Sequence, residues 1–357
     1  SAKQNLKSIL NHNFFKENSE KVNIFGLNLN YNNIKNVSNI SVIPIMGITA
    51  ILKNIFYLFR LRTNLNNIIS KNNYSHVFFI DSFDFTKFYL KKFKVPNLKY
   101  CQIIGPSVYI WKKNKAIFIN DNIDQLFSIF NIESRYYKSS VYTYIGHPIL
   151  NKVIKSSRNS TSVKNIGIFL GSRYQEINNN IHTIKDLLLK INQNSKYNIH
   201  IFITHSFEHF IKNKFKNLDN IKFHLNDNDY YNKISILDFA FACSGTVHLE
   251  LCFSNIPHFI FYKANYFNFF IFKYFVKSKY LSLLNIFSKK LIVKEFIQND
   301  FNSNNLYENF NVLCNNNAKY SNYNSKIQFA LKKIKFSNLD NQLIIDYLER
   351  SSLAIKD

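Results

Sequence analysis

Residues 236–250 read ILDFAFACSGTVHLE, an apolar run that gives way to a small-residue turn and then to a helix start. A run of this length suits a strand buried on both faces, and the Ser-Gly-Thr turn suits a helix N-terminus. Orphan N–H groups there, with the positive end of the helix dipole, make a seat for an anion. Ser244 and Thr246 are placed to cap the helix or to touch a phosphate oxygen around Gly245. Thr246 and Glu250 lie four apart and share one face, so Glu250 can accept hydrogen bonds from ribose hydroxyls. An ordinary capped helix with a solvated Glu uses the same residues.

Working outward, the same alternation of short apolar runs and longer amphipathic ones fills the chain, the pattern of βαβ units and a parallel sheet. Strands are predicted at 22–25, 40–45, 76–80, 99–104, 126–130 and 141–145, then at 165–170, 198–203, 220–225, 236–242 and 258–262. A basic, Ser-rich stretch, NKVIKSSRNSTSVK (151–164), parts the two halves and reads as a linker. The expected organisation is a domain over 1–150, a linker over 151–164, a second domain over 165–321, and helices over 322–357 that return to the first domain.

A chain of 357 residues with 46% hydrophobic content suffices for two such domains, each with its own core. The net charge of +24 suits either a Lys-rich solvated surface or attraction to an anionic partner. Without zinc-finger spacing, an RNA-binding aromatic signature or a long Lys/Arg block, no nucleic-acid partner is expected. The four cysteines, Cys101, Cys243, Cys252 and Cys314, show no metal-ligand spacing and read as reduced thiols of a cytoplasmic protein. No apolar run is long enough to span a bilayer. The start, SAKQNLKSIL, lacks the order of a signal peptide, and Met46 is the only Met, so Ser1 is expected to follow a processed or truncated start.

In a chain with only 7 Gly, each retained one is expected to serve a positive φ or a close approach. Gly105, Gly146, Gly171 and Gly245 directly follow predicted strands, at the edge where open α/β sheets bind ligands. FLGSRYQEI (169–177) places Arg173 on such a turn, where a guanidinium can grip a diphosphate or else remain a surface Arg. FFIDSFDF (78–85) puts Asp81 at a strand's carboxyl end, as a general base towards an alcohol or as a helix N-cap. His147 reads as a structural histidine at the domain junction. In MGITAILKNIFYLFRLRTNL (46–65), Ile48, Ile51, Ile55, Leu58 and Phe59 share a helical stripe while Arg60 and Arg62 point elsewhere. That stripe is either a core face or a face for acyl chains and the bilayer interface.

Taken in order, these motifs resemble those of the lipid-A-disaccharide synthases. MGI (46–48), FFIDSFDF (78–85), IGPSVYIWKKNKA (104–116), YIGHPI (144–149), FLGSRYQEI (169–177), SGTVHLE (244–250), KYLSLLN (279–285) and LIVKEFIQND (291–300) match over roughly residues 1–310. The resemblance implies a GT-B fold, two Rossmann-like domains facing across a cleft. It implies transfer of 2,3-diacylglucosamine from its UDP derivative to the 6-hydroxyl of 2,3-diacylglucosamine 1-phosphate (lipid X). The enzyme would be an inverting, metal-independent glycosyltransferase with no cofactor, peripheral on the cytoplasmic face of a Gram-negative inner membrane.

Residue by residue, the resemblance implies Asp81 as base or acceptor-positioning group and Arg173 at the UDP diphosphate. Ser244, Gly245, Thr246 and Glu250 match the nucleotide loop, while Asn285, Glu295 and Gln298 match further donor-side positions. Ser107, Trp111 and Lys112 match a cleft-lining element, with His147 near it. Leu170, Leu284 and Phe83 stand where the family has proline, and Tyr109 where it has tryptophan. Ser1 matches the serine of the family's Gly-Glu loop, which places that family's first strand before it. The other readings of this architecture are a muropeptide glycosyltransferase, a UDP-GlcNAc 2-epimerase-like enzyme and a non-catalytic lipid-binding remnant.

Overall fold

The computed structural model describes residues 6–7, 9–26, 34–37, 54–109, 114–156, 163–192, 197–218, 220–264 and 278–353. The chain divides into two compact units, Ser1–Pro148 with Asn338–Asp357, and Ile149–Ser337. Segment 151–164 therefore falls inside the bounds of the second unit. Of the C-terminal stretch, only the part from Asn338 onward belongs to the first.

The first unit holds a small parallel pair, β1 (Asn23–Ile24) and β2 (Lys35–Asn36). Its main sheet is parallel, in the order β3 (His76–Ile80), β4 (Lys99–Ile103), β5 (Gln125–Ser128), β6 (Tyr142–Tyr144). The helices are α1 (Asn13–Glu17), α2 (Ile55–Ser70), α3 (Phe83–Leu90) and α4 (Asn114–Asn122). Along β4 successive side chains point to opposite faces. Tyr100 joins the cluster around Tyr89, Leu90 and Leu126, while Cys101 and Ile103 join Phe127 and Ile145. Ile344 and Ile345 of a returning helix complete that second cluster, and His76 Nε2 meets Ser351 Oγ at 2.7 Å.

The second unit is a six-stranded parallel sheet. It contains β7 (Asn165–Phe169), β8 (Asn198–Ile203), β9 (Ile221–Leu225), β10 (Phe239–Cys243), β11 (His258–Tyr262) and β12 (Glu295–Ile297), in the order β12-β11-β10-β7-β8-β9. Its helices are α5 (Tyr174–Asn192), α6 (Glu208–Phe215), α7 (Tyr230–Ser235), α8 (Val247–Phe253), α9 (Leu283–Ser288), α10 (Ser303–Cys314) and α11 (Asn317–Ile334); the returning helix is α12 (Gln342–Leu353). All of β10 is buried, and its alternation sets the two core layers. Phe239, Phe241 and Cys243 enter one cluster with Phe310, while Ala240 and Ala242 face Leu251, Cys252 and Ile327. Helix α5 presents Ile177, Ile181, Ile184, Leu188 and Ile191 to the first layer at three-four spacing. Each such side chain contributes about 1.5–3 kcal/mol by burial. Buried Asp238 accepts the Lys164 and Asn165 amides at 3.0 and 2.8 Å, which pins the start of β7 beside β10.

Several expectations need correction. Strands at 76–80, 198–203 and 258–262 have the predicted bounds, whereas β10 begins at Phe239 and not at residue 236. Ile236 and Leu237 instead close α7, the Leu237 amide donating to Ile234 O. β2 and β12 were not predicted, and the expected strand at 40–45 lies outside the described residues. Helix α2 runs on to Ser70 and buries Leu61, Arg62, Leu65 and Ile69. Ile55, Phe56 and Phe59 lie exposed, Phe56 at 87%. Arg62 is thus not on the solvated side. Its guanidinium lies 4.0 Å from the Phe88 ring centroid and 4.8 Å from that of Phe59, a cation–π setting that tolerates burial.

Candidate active site

In the first unit the turns after β3, β4, β5 and β6 carry Asp81, Gly105 with Ser107, Glu133, and His147. Asp81 adopts φ 60° and Ser82 φ 32°, a left-handed pair that costs about 1–3 kcal/mol per residue where nothing favours it. The surrounding structure holds this turn. Asp81 N–H donates to Ile103 O at 2.9 Å, and Asp81 O accepts from Gln102 Nε2 at 2.8 Å. Fully buried Gln102 also donates to Ile104 O and accepts from Thr86 Oγ1. The N-cap of α3 is Ser82, so the N-cap reading of Asp81 does not hold. Gln102, which holds this turn, was not singled out in the sequence; the signal was an amide within the apolar run YCQII (100–104).

Glu133 was also missed. It is 2% exposed and accepts from Ser128 Oγ at 2.6 Å, and burial pushes its carboxyl up to about 8. His147 is buried against the Phe130 ring, and burial lowers it to about 4, in keeping with a structural, neutral histidine. Ser107 hydrogen-bonds Tyr109, whose hydroxyl burial pushes far up. Ser1, Ile48, Ile51, Trp111 and Lys112 lie outside the described residues. A hollow of about 500 Å³ lined by residues 94–99 and 120–124 sits at the amino end of β4, the end away from Asp81.

In the second unit adjacent strands β7 and β10 bring the GSR and SGT turns together. Gly171 has φ 117°, and a Cβ there would meet Glu176 Cβ at 2.8 Å and Cys243 Sγ at 3.4 Å. The Glu176 carboxylate accepts from Ser172 N–H at 3.1 Å and from Arg173 Nη1 at 2.6 Å. Arg173 is half-exposed and aimed by this pair; Glu176 had not been singled out in the sequence. At the SGT turn, bonding within α8 starts with His248 N–H to Gly245 O and Leu249 N–H to Thr246 O. The amides of Gly245, Thr246 and Val247 precede it, the donors that a helix start leaves over. Thr246 is the N-cap but makes no side-chain cap bond. Gly245 has neither positive φ nor a close neighbour, since a Cβ would meet only Cys243 O at 4.0 Å. Gly245 thus does not serve a positive φ, and the space beside it is open to the close approach of a ligand.

Glu250 accepts from Tyr230 Oη at 2.9 Å, and burial raises its carboxyl above the usual range. Asn285 has all its valences engaged. Its oxygen takes the Ile292 and Val293 amides, and its NH₂ reaches Val293 O and Glu295 Oε1. Glu295 further accepts from Leu281 N–H and Ser282 N–H, and Gln298 pairs with both backbone groups of Ala264. These three residues brace loops through internal partners.

Residues 1–345 match the model of the family described as lipid-A-disaccharide synthetase. A lipid-A-disaccharide synthase of Campylobacter jejuni is 30% identical over 312 residues, covering 83% of this chain and 81% of its own length. That of Wigglesworthia glossinidia brevipalpis is 27% identical over 351 residues, covering 92% and 89%. Among solved structures, a Staphylococcus aureus MnaA–UDP co-structure aligns with TM-score 0.57 at 12% identity, covering 90% of this chain and 84% of that one. A Neisseria meningitidis UDP-GlcNAc 2-epimerase bound to UDP-GlcNAc aligns at 0.51 and 13%, covering 88% and 85%. At such identities these neighbours speak to the fold alone, which is GT-B with two Rossmann-like units.

Proposed function

Because the chain belongs to the lipid-A-disaccharide synthetase family, we propose that it transfers 2,3-diacylglucosamine from UDP-2,3-diacylglucosamine to the 6-hydroxyl of lipid X and releases UDP. The observation that carries this reading is the family match over residues 1–345. Asp81 takes the proton of the acceptor hydroxyl as that oxygen attacks the anomeric carbon, and UDP leaves from the opposite face with inversion. The transition state resembles an oxocarbenium ion. Arg173 and the amides of Gly245, Thr246 and Val247 take up charge on the leaving diphosphate, so the chain's own groups supply that stabilisation. Glu250, oriented by Tyr230, receives the ribose. No described helix is long and apolar enough to cross a membrane. The exposed Ile55, Phe56 and Phe59 beside Arg60 support peripheral contact with an anionic bilayer and with acyl chains.

The test is UDP release from UDP-2,3-diacylglucosamine in detergent, with and without lipid X. Release that depends on lipid X is expected; release at the same rate without an acceptor would overturn the transferase reading. Gly171→Ala is expected to weaken UDP binding roughly tenfold, because the strained turn must shift Glu176 and with it Arg173. Calorimetric titration with UDP reads this, and unchanged affinity would remove Arg173 from the donor site.

A further inference from the structure

Within the second unit, His248, Cys252 and His258 are buried and bring donor atoms within 4.8 Å of one another, a grouping that could suggest a cation site. The hydrogen bonds argue for something else. His258 Nδ1 lies 2.8 Å from Ile256 O, which can only accept, so that nitrogen carries the proton. A neutral His258 then offers Nε2 as acceptor, and His248 Nδ1 stands 2.8 Å from it as donor. That leaves His248 Nε2 as an acceptor, and Leu284 N–H points at it from 3.3 Å. Each ring carries one proton, and each of the four nitrogens has one short partner; Cys252 Sγ stands farther off, 3.9 Å from both nitrogens of His248. A cation on His248 Nδ1 would move the proton to Nε2, against the Leu284 amide. Burial also lowers the basicity of both rings, as a neutral pair requires.

The wire joins the SGT turn, read above as the UDP seat, to the loop braced by Asn285 and Glu295. His248 is the second residue of α8, two positions after Thr246 of the SGT turn. Leu284 lies in the first turn of α9, whose N-cap Ser282 and following Asn285 are tied to Glu295. The Leu284 amide is among the donors that a helix start leaves over, and His248 satisfies it. We propose that His248, held in its Nδ1-protonated form by His258, is a positioning residue for the donor half of the reaction, locking the SGT turn to the Asn285–Glu295 loop. This rests on the reading of the SGT turn as the UDP seat.

Two substitutions separate the ring's two atoms. In His248→Gln the side-chain oxygen can stand in for Nε2 and keep the Leu284 amide paired. In His248→Asn the amide can stand in for Nδ1 but nothing reaches Leu284. Leaving that amide unpaired is expected to raise the Kd for UDP and the KM for the UDP-sugar about tenfold in His248→Asn, with kcat less affected. His248→Gln should recover most of both. Equal affinity in wild type, His248→Asn and His248→Gln would overturn the proposal, as would equal loss in the two variants when both melt as wild type does. Nitrogen-15 spectra of histidine-labelled wild type read the tautomer without reference to activity. Nδ1–H on both rings between pH 5 and 8 is expected, and Nε2–H on His248, or a Zn²⁺-induced shift of these signals, overturns it. Wild type that binds no UDP while showing the expected tautomers would instead sink the donor-site reading, and this proposal with it.

Discussion

Asp81→Asn is expected to lower kcat by roughly 10²–10⁴-fold while leaving UDP affinity within about twofold of wild type. Asparagine is isosteric and, like aspartate, tolerates the left-handed φ of 60° found here, so the turn itself survives. The backbone clamp survives as well, because it uses Asp81 N–H and O and not the carboxylate. What the substitution removes is the capacity to take a proton. UDP affinity is assigned to Arg173, Glu250 and the SGT amides, all in the other unit, so it has no reason to change. Gln102→Leu provides the structural control: Asp81 keeps its carboxylate but its carbonyl loses the donor that holds the turn. An intermediate loss of kcat is expected there, partly recovered in Gln102→Glu at pH values where that buried group is neutral. Steady-state kcat with and without saturating lipid X, beside calorimetric UDP titration, decides the matter. Loss of kcat and of UDP affinity in equal measure in Asp81→Asn would remove Asp81 from the role of base.

The strands legible in the sequence were short apolar, β-branched or aromatic runs, because a run such as NIHIFI has no helical reading of comparable quality; even β3, only partly buried, kept its predicted bounds. β12 escaped because Glu295–Ile297 is a short edge strand between loop residues, and its Glu takes partners from residues 281–285. Asn285 and Glu295 were legible as positions but not as roles. A carboxamide fully engaged by backbone from residues 292 and 293 looks, in the sequence, like any motif polar residue. The stripe of Ile55 and Phe59 was legible as amphipathic. Which face is buried was not, since Arg62 gains cover from Phe88 and Phe93 of a later segment. Glu176 pairs locally, with Ser172 and Arg173, whereas Gln102 and His248 take partners supplied by tertiary structure. Periodicity cannot register those partners.

The first unit should lose stability as pH rises from about 6.5 to 8, and Glu133→Gln should remove most of that loss. Glu133 is buried and its carboxyl is raised to about 8, so the folded chain holds this proton where the unfolded chain, titrating near the ordinary Glu value, releases it. The stabilisation is therefore complete below about pH 4.5 and is lost as pH rises towards 8, at up to about 1.4 kcal/mol per pH unit. Between pH 6.5 and 8 the expected loss is about 2 kcal/mol. Buried histidines act with the opposite sign. His147 and His258, lowered to about 4, and His248, lowered further, stay neutral in the folded chain where the unfolded chain protonates them. Their contribution is present above about pH 6.5 and is lost as pH falls towards 4. Of these histidines only His147 belongs to the first unit, where it offsets Glu133 between about pH 4.5 and 6.5, so the net loss in that unit begins above about pH 6.5. In Glu133→Gln the amide keeps an acceptor for Ser128 Oγ and cannot ionise, so only the acid-side loss should remain. Denaturant midpoints of wild type and Glu133→Gln at pH 6.5 and 8, referred to the first unit by hydrogen exchange at β4 and β5, measure the difference. Equal alkaline loss in both proteins would mean that Glu133 is ionised in the folded chain, with solvent or a cation reaching the carboxyl beside Ser128.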